Sequence, residues 1–262
     1  MNRIEAKFKK LSVDKNKAFI AFITAGYPDL STTEKLVLGF SKIGVDIVEL
    51  GVPFSDPMAD GPVIQEASQK SLKKGTRLID ILNLVRRVRK STQLPICLMT
   101  YYNPVFSFGE EKFAKAAVSF GVDGVIIPDL PPDEGFKFIK ICNKHGLDVI
   151  SFIAPTTSKT RMKYISKTAR GFIYYVSLTG VTGARSGLPK DLAANVKTIK
   201  KISRKPVCVG FGVSSRDQVS QINKIADGAI VGSAIVKCIK ENIGKPDLVK
   251  RAVDFTRKLK NV

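Results

Sequence analysis

The chain has 262 residues, 44% of them hydrophobic, a composition that supports a substantial core and excludes a disordered protein. No run approaches the roughly 20 consecutive apolar residues of a membrane span, and the N-terminal stretch MNRIEAKFKKLSVDKNKAF has no apolar signal segment, so a cytoplasmic protein is expected. Against 23 Asp and Glu stand 43 Lys and Arg, a net charge of +20.

Strand and helix signals alternate along the chain. Ala18 to Gly26 (AFIAFITAG) reads as a first strand. Ser31-Thr32-Thr33-Glu34 has the form of a capping box, opening a helix that stops before Gly44. Asp46 to Val52 is the second strand, followed by a helix over Leu78 to Lys90. Pro95 to Tyr102 is the third strand, with a helix over Glu110 to Phe120. Asp123 to Leu130 and Asp148 to Pro155 are the fourth and fifth, with helices over Asp133 to Lys144 and from about Thr160 to Thr168. Gly171 to Thr179 is the sixth and Pro206 to Val213 the seventh, with helices over Lys190 to Ile202 and Asp217 to Ile225. Gly228 to Gly232 is the eighth, followed by a short helix and a closing one over Asp247 to Leu259.

Eight near-continuous apolar strands, each followed by a helix, describe a parallel sheet buried on both faces. The returns Gly44-Val45-Asp46, Gly121-Val122-Asp123 and Gly146-Leu147-Asp148 place glycine where a helix ends in the left-handed conformation. About 250 residues is the usual length of an eight-fold α/β barrel. The predicted fold is therefore a (β/α)8 TIM barrel of the α/β class, one domain over 1–262, with an extra N-terminal helix. A doubly wound open sheet is disfavoured because Ala25-Gly26-Tyr27-Pro28 is not a Gly-rich dinucleotide turn.

In such a barrel the chemistry lies at the C-terminal strand ends. Glu49 sits inside the apolar second strand, where a carboxylate is costly unless paired or used, and the next loop adds Asp56 and Asp60. A structural acid is the alternative reading of Glu49. Asp129 ends the fourth strand, where a cap for the following turn is a sufficient explanation, and Tyr101, Tyr102 and Tyr174 near strand ends have core packing as their default. Val209-Gly-Phe-Gly-Val-Ser-Ser215 and Val231-Gly-Ser-Ala-Ile-Val236 follow strands seven and eight, the usual barrel phosphate site, with glycine amides and the Ser233 hydroxyl as donors. Gly180 to Gly187 is a Gly-rich candidate lid.

The one histidine, His145, precedes Gly146 at a helix end and reads as a C-terminal cation rather than a ligand. No metal site and no cofactor are expected. Cys97, Cys142, Cys208 and Cys238 form no C-x-x-C pair and read as free thiols. No lysine lies in a predicted strand, which argues against Schiff-base chemistry and leaves carboxylate acid–base chemistry on a sugar phosphate. The densest basic cluster, Arg86 to Lys90, ends a helix, and the other cations are scattered over helices. The charge is therefore read as solvated surface, with no nucleic-acid and no membrane partner.

The segment Glu49-Leu-Gly-Val-Pro-Phe-Ser-Asp-Pro-Met-Ala-Asp-Gly-Pro62 resembles the signature of the tryptophan synthase alpha chain family. The resemblance continues at Phe22 to Asp29, Thr100 to Pro104, Pro128-Asp129, Gly180 to Gly183, Gly210 to Ser214 and Gly232 to Val236. It implies a lyase that cleaves indole-3-glycerol phosphate to indole and glyceraldehyde 3-phosphate in tryptophan biosynthesis. Glu49 would be the general acid and base, with Asp60 stabilising charge at the indole N–H. Phe22 and Met99 would bound the indole, Tyr174 would line the same site, and Tyr101 and Asp129 are further substrate-site candidates. Gly183, Gly212, Gly232 and Ser233 would hold the phosphate, and Thr182 would reach Asp60 on closure. The resemblance also implies a pyridoxal-phosphate-dependent beta chain in an alpha2-beta2 heterotetramer, touching the loop Pro53 to Asp56. Two alternatives stand beside it: another sugar-phosphate barrel enzyme, and a basic barrel that binds nucleic acid without catalysis.

Overall fold

The computed structural model describes residues 2–176, 188–210 and 212–260. Strands β1 (Ala18–Thr24), β2 (Ile47–Gly51), β3 (Ile96–Met99), β4 (Gly124–Ile126), β5 (Asp148–Ile153), β6 (Ile173–Val176), β7 (Val207–Gly210) and β8 (Gly228–Val231) pair in parallel, in sequence order, and β8 closes onto β1. All eight predicted strands are present, each trimmed to the hydrogen-bonded part of its apolar run. The helices are α1 (Arg3–Val13), α2 (Leu30–Lys42), α3 (Pro62–Lys73), α4 (Leu78–Val88), α5 (Tyr102–Phe108), α6 (Glu110–Phe120), α7 (Phe136–His145), α8 (Lys159–Thr168), α9 (Leu192–Ile202), α10 (Arg216–Asn223), α11 (Ser233–Glu241) and α12 (Leu248–Lys260). The TIM barrel and its extra N-terminal helix are as the sequence predicts, and no helix among the described residues is long and apolar enough to cross a membrane.

Two local expectations need correction. The N-cap of α2 is Asp29, not Ser31: the Asp29 carboxylate accepts from the Thr32 N–H at 2.7 Å and from the Thr32 hydroxyl at 2.9 Å. A carboxylate two residues upstream thus satisfies the first turn that a serine had been expected to cap. Helices α3 and α5 were not anticipated. The inner face of α3 is Ala67, Ser68 and Ser71, so it carries no large apolar stripe, and the Ser71 hydroxyl donates to the Ala25 carbonyl at 2.7 Å. His145 lies in the last turn of α7, as the sequence indicates, and meets Glu111 through Nε2 at 2.6 Å; Gly146, in the left-handed conformation at φ 82°, ends the helix.

The returns do more than turn the chain. The Asp46 carboxylate accepts from the Phe19 N–H at 2.9 Å, Asp123 from Ile96 N–H at 2.9 Å, and Asp227 from Val207 N–H at 3.0 Å. Each acid entering one strand satisfies the first free amide of the strand before it. Cations neutralise them: Arg89 and Arg3 on Asp123, Lys7 on Asp46, Lys200 and Lys17 on Asp227. These contacts lie at the N-terminal face, which serves stability in this fold. Helix α1 closes that face. Ile4 is fully buried, its methyl groups lie where a Cβ on Gly124 or Gly171 would go (3.0 and 3.3 Å), and Phe8 packs on Phe172 at 5.8 Å between ring centroids.

Candidate active site

At the opposite end the barrel opens into a cleft of about 470 Å³. Phe22 from β1, Met99 from β3, Tyr174 from β6 and Ile230 from β8 form its apolar wall. Asp60 sits on one rim, and Gly212, Gly232 and Ser233 on the other. Glycines make room for the two aromatic rings. A Cβ on Gly51 would lie 2.6 Å from the Phe22 ring, and one on Gly210 would lie 2.5 Å from the Tyr174 hydroxyl.

Glu49 is the register partner of Phe22 on one side and Cys97 on the other. Paired residues of adjacent strands face the same way, so Glu49 points into the barrel beside the cleft. It is fully buried, and neither carboxyl oxygen has a hydrogen-bond partner. Burial alone pushes its pKa from 4.5 up to about 8, because nothing compensates the charged form for lost water.

Asp60 is held differently. The Tyr101 hydroxyl accepts from the Ala59 N–H at 2.9 Å and hydrogen-bonds the Asp60 carboxylate, while the Tyr101 ring stacks on Phe54. One buried tyrosine thus pins the acidic loop to the end of β3. Burial raises the Asp60 pKa to about 6, with the Tyr101 bond pulling the other way. A carboxyl buried beside the cleft and another on its rim are thereby given different protonation states at neutral pH.

Asp129 is not among the residues lining the cleft. Its carboxylate accepts twice from the Tyr102 N–H, at 2.9 and 3.2 Å, and so anchors the start of α5 rather than the Pro131-Pro132 turn. Tyr102 itself donates to Glu110 at 2.9 Å.

On the glycine-rich rim, Gly212 takes φ 79°, a conformation other residues adopt at a cost. Gly232 is the N-cap of α11, with no side chain capping the first turn, so this helix end presents unsatisfied N–H groups. Gly61, Gly212 and Ser233 line both the apolar cleft and an adjoining depression bounded by Ser214, Ala234 and Lys237. An apolar group and an anion on one small molecule can therefore be bound side by side. Thr182, Gly183 and the rest of the predicted lid lie outside the described residues. The sequence reading did not include Ala59, Gly61, Ile64, Val213 or Ile230, which also line the cleft. Ala59, Gly61 and Val213 fall inside the acidic segment and the glycine turn that the sequence marks, and Ile230 lies two residues before Gly232; Ile64 carries no such signal.

Residues 8–262 match the model of the tryptophan synthase alpha chain family. The chain belongs to that family. The tryptophan synthase alpha chain of Geobacter sulfurreducens is 49% identical over 99% of this chain and 98% of its own, and that of Geotalea daltonii is 50% identical over 94% and 93%. Among solved structures, the tryptophan synthase alpha subunit of Legionella pneumophila superposes with a TM-score of 0.93 at 38% identity, covering 99% of this chain and 97% of that one. A chain of the tryptophan synthase complex of Pyrococcus furiosus superposes at 0.86 and 36% identity, covering 94% and 98%. Membership in the tryptophan synthase alpha chain family makes the protein a lyase of tryptophan biosynthesis, of the indole-3-glycerol phosphate type.

Proposed function

We propose that the chain cleaves indole-3-glycerol phosphate by a retro-aldol reaction with Glu49 as acid and base and Asp60 as electrostatic partner. The observation that carries this is the contrast between the two carboxyls at the cleft, Glu49 buried beside it and pushed up to about 8, Asp60 on its rim and pushed up to about 6. At neutral pH the first holds a proton and the second is mostly an anion, which is the division that acid catalysis beside a developing cation requires. Glu49 protonates the indole carbon that bears the glycerol chain, and positive charge appears at the ring nitrogen, where the Asp60 carboxylate opposes it. The Glu49 carboxylate then takes the proton of the adjacent glycerol hydroxyl. The carbon–carbon bond breaks toward the ring, giving indole and the aldehyde, with the carboxyl returned to its neutral form.

Phe22, Met99, Tyr174 and Ile230 offer the indole an apolar slot. Gly212, Gly232 and Ser233 offer the phosphate a helix N-terminus and close backbone approach. Thr182 and Gly183 are assigned, by family resemblance, to closure over Asp60 and to the phosphate. Tyr101 and Asp129 support the site from behind, one through the acidic loop and the other through α5. Release of indole from indole-3-glycerol phosphate, lost in Glu49→Gln with substrate still bound, is the direct test. Binding without cleavage by the parent chain would overturn the proposal.

The product indole is small and apolar, and a second enzyme must collect it before it escapes. We assign this to the pyridoxal-phosphate-dependent beta chain, in an alpha2-beta2 assembly that docks at the mouth. Met58 on the acidic loop and Phe106 on α5 are exposed there, as a contact surface requires. The chain alone should be weakly active and should become fully active on co-elution with its cognate beta chain. Full activity alone, with no co-elution, would refute the assignment.

A further inference from the structure

Within the barrel strands, side-chain polar atoms that are buried without a hydrogen-bond partner occur at two residues among those described: Glu49, through both carboxyl oxygens, and Thr24, through its hydroxyl. The others, on Ser166 and Asn223, belong to α8 and α10. Buried polar atoms are nearly always paired, so an orphan calls for an explanation. Thr24 is 2% exposed and ends β1. Side chains alternate along a strand, so Thr24 faces the barrel interior with Phe22, two residues earlier. Its register partner is Gly51, two residues beyond Glu49 on β2. Strand spacing and rise place such diagonal backbone positions about 8 Å apart, a gap that an extended glutamate side chain and a threonine hydroxyl span between them. Gly51 brings no side chain between them; the tip of the Phe22 ring takes the place where its Cβ would be, with the Ile23 carbonyl behind it.

We infer that Thr24 is a positioning residue whose hydroxyl donates to the Glu49 carboxylate once that group has turned toward the mouth and given up its proton. The inference rests on the proposed acid–base role of Glu49. A neutral carboxyl deep in the barrel needs no such donor. The carboxylate formed after the first proton transfer does, and a hydroxyl fixed on the neighbouring strand supplies one without admitting water. The hydroxyl is unpaired in the resting protein because its bond belongs to the later state. The ionisable groups that act on Glu49 or lie near it are Cys97 on β3, Tyr174 on β6, Cys208 on β7 and Asp60 on the loop after β2. The thiols and the phenol are all raised by burial and stay neutral, so Glu49 and Asp60 alone titrate across the working range.

Thr24→Val keeps the shape and removes the donor. In the full chain with its beta chain, kcat for indole release should fall on the order of 10- to 100-fold, the size of a lost bond to a charged group. KM should stay within about twofold, and the melting temperature should hold or rise, since no bond of the resting protein is lost. The limb of the kcat–pH profile governed by Glu49 should move to higher pH, because a donor to the carboxylate favours ionisation, while the Asp60 limb stays in place. Thr24→Ser should restore most of the rate. In a Glu49→Gln background, Thr24→Val should cost nothing further. An unchanged kcat and pH profile in Thr24→Val would overturn the inference. So would a raised KM at unchanged profile, which marks a substrate contact, or a lowered melting temperature not rescued by serine, which marks a structural hydroxyl. If Glu49→Gln itself turns over normally, the acid–base reading fails first, so the two failures are distinguishable.

Discussion

Glu49→Gln separates a catalytic acid from a core acid by measuring two quantities on one sample. Glutamine retains the shape and removes the titrating proton. Removing general acid–base catalysis alone should lower the single-turnover rate by about 10²–10⁴-fold. The stability effect has a defined sign. Glu49 has a folded-state pKa of about 8 against an ordinary 4.5, so above pH 4.5 the unfolded chain loses a proton that the folded chain keeps. Its penalty on folding is absent below about pH 4.5, grows as pH rises, and levels off above about 8. At about 1.4 kcal/mol per pH unit, the penalty at pH 7 is at most about 3.5 kcal/mol. For a domain of this size that corresponds to roughly 7–14 °C in melting temperature. Part of it is offset by the cost of burying an amide without partners. The pH dependence survives that offset: the melting temperature of the variant relative to the parent should climb between pH 5 and 8. Thermal melts at several pH values and rapid-quench turnover with indole-3-glycerol phosphate are the assays. A variant that is destabilised at every pH and still active would show Glu49 to be a structural acid and not the catalyst.

Asp60→Asn should slow turnover by on the order of 10²-fold while binding a glycerol phosphate normally, and Tyr101→Phe should weaken activity less, by loosening the loop through Ala59 and Asp60; equal and negligible effects in both would remove Asp60 from the chemistry. Gly232→Val places methyl groups against Phe22, already 3.1 Å from a Cβ at that position, and blocks approach to the α11 N-terminus, so KM should rise sharply; Gly212→Val should do the same with added strain from its φ of 79°. Unchanged affinity for glycerol phosphate in both would refute the phosphate assignment. The +20 charge is scattered over helices, so turnover should survive moderate salt, and tight duplex binding at physiological salt would contradict this.

The eight strands and most helices were legible because the apolar runs are long and glycine marks the helix ends. Helix α3 was not, because its fully buried positions are Ala67, Ser68 and Ser71: it approaches β1 through small residues that do not read as a core face in the sequence. Glu49 and Asp60 were legible as acids in an apolar setting, but not the difference between them. That difference depends first on the more complete burial of Glu49, then on Tyr101 reaching Asp60 from 41 positions away while nothing reaches Glu49. For Asp129 the sequence suggested a local cap, whereas its partner is the amide of Tyr102 on the preceding strand's loop. The carboxylates of Asp46 and Asp123 were legible only as parts of helix-to-strand returns, since a bond to a neighbouring strand requires knowing which strand is the neighbour.

The N-terminal helix gives the chain's first dozen residues a stake in chemistry at the far end of the molecule. Ile4 abuts Gly124, Gly124 pairs with Cys97, and Cys97 pairs with Glu49. Two strand positions thus separate a side chain on an outer helix from the carboxyl that is kept dry. With α1 trimmed away, water would enter from below, the Glu49 carboxyl would ionise at lower pH, and an enzyme with every mouth residue intact would lose its acid. Shortening this end of the protein is therefore an alteration of the active site, although it touches no residue of the cleft.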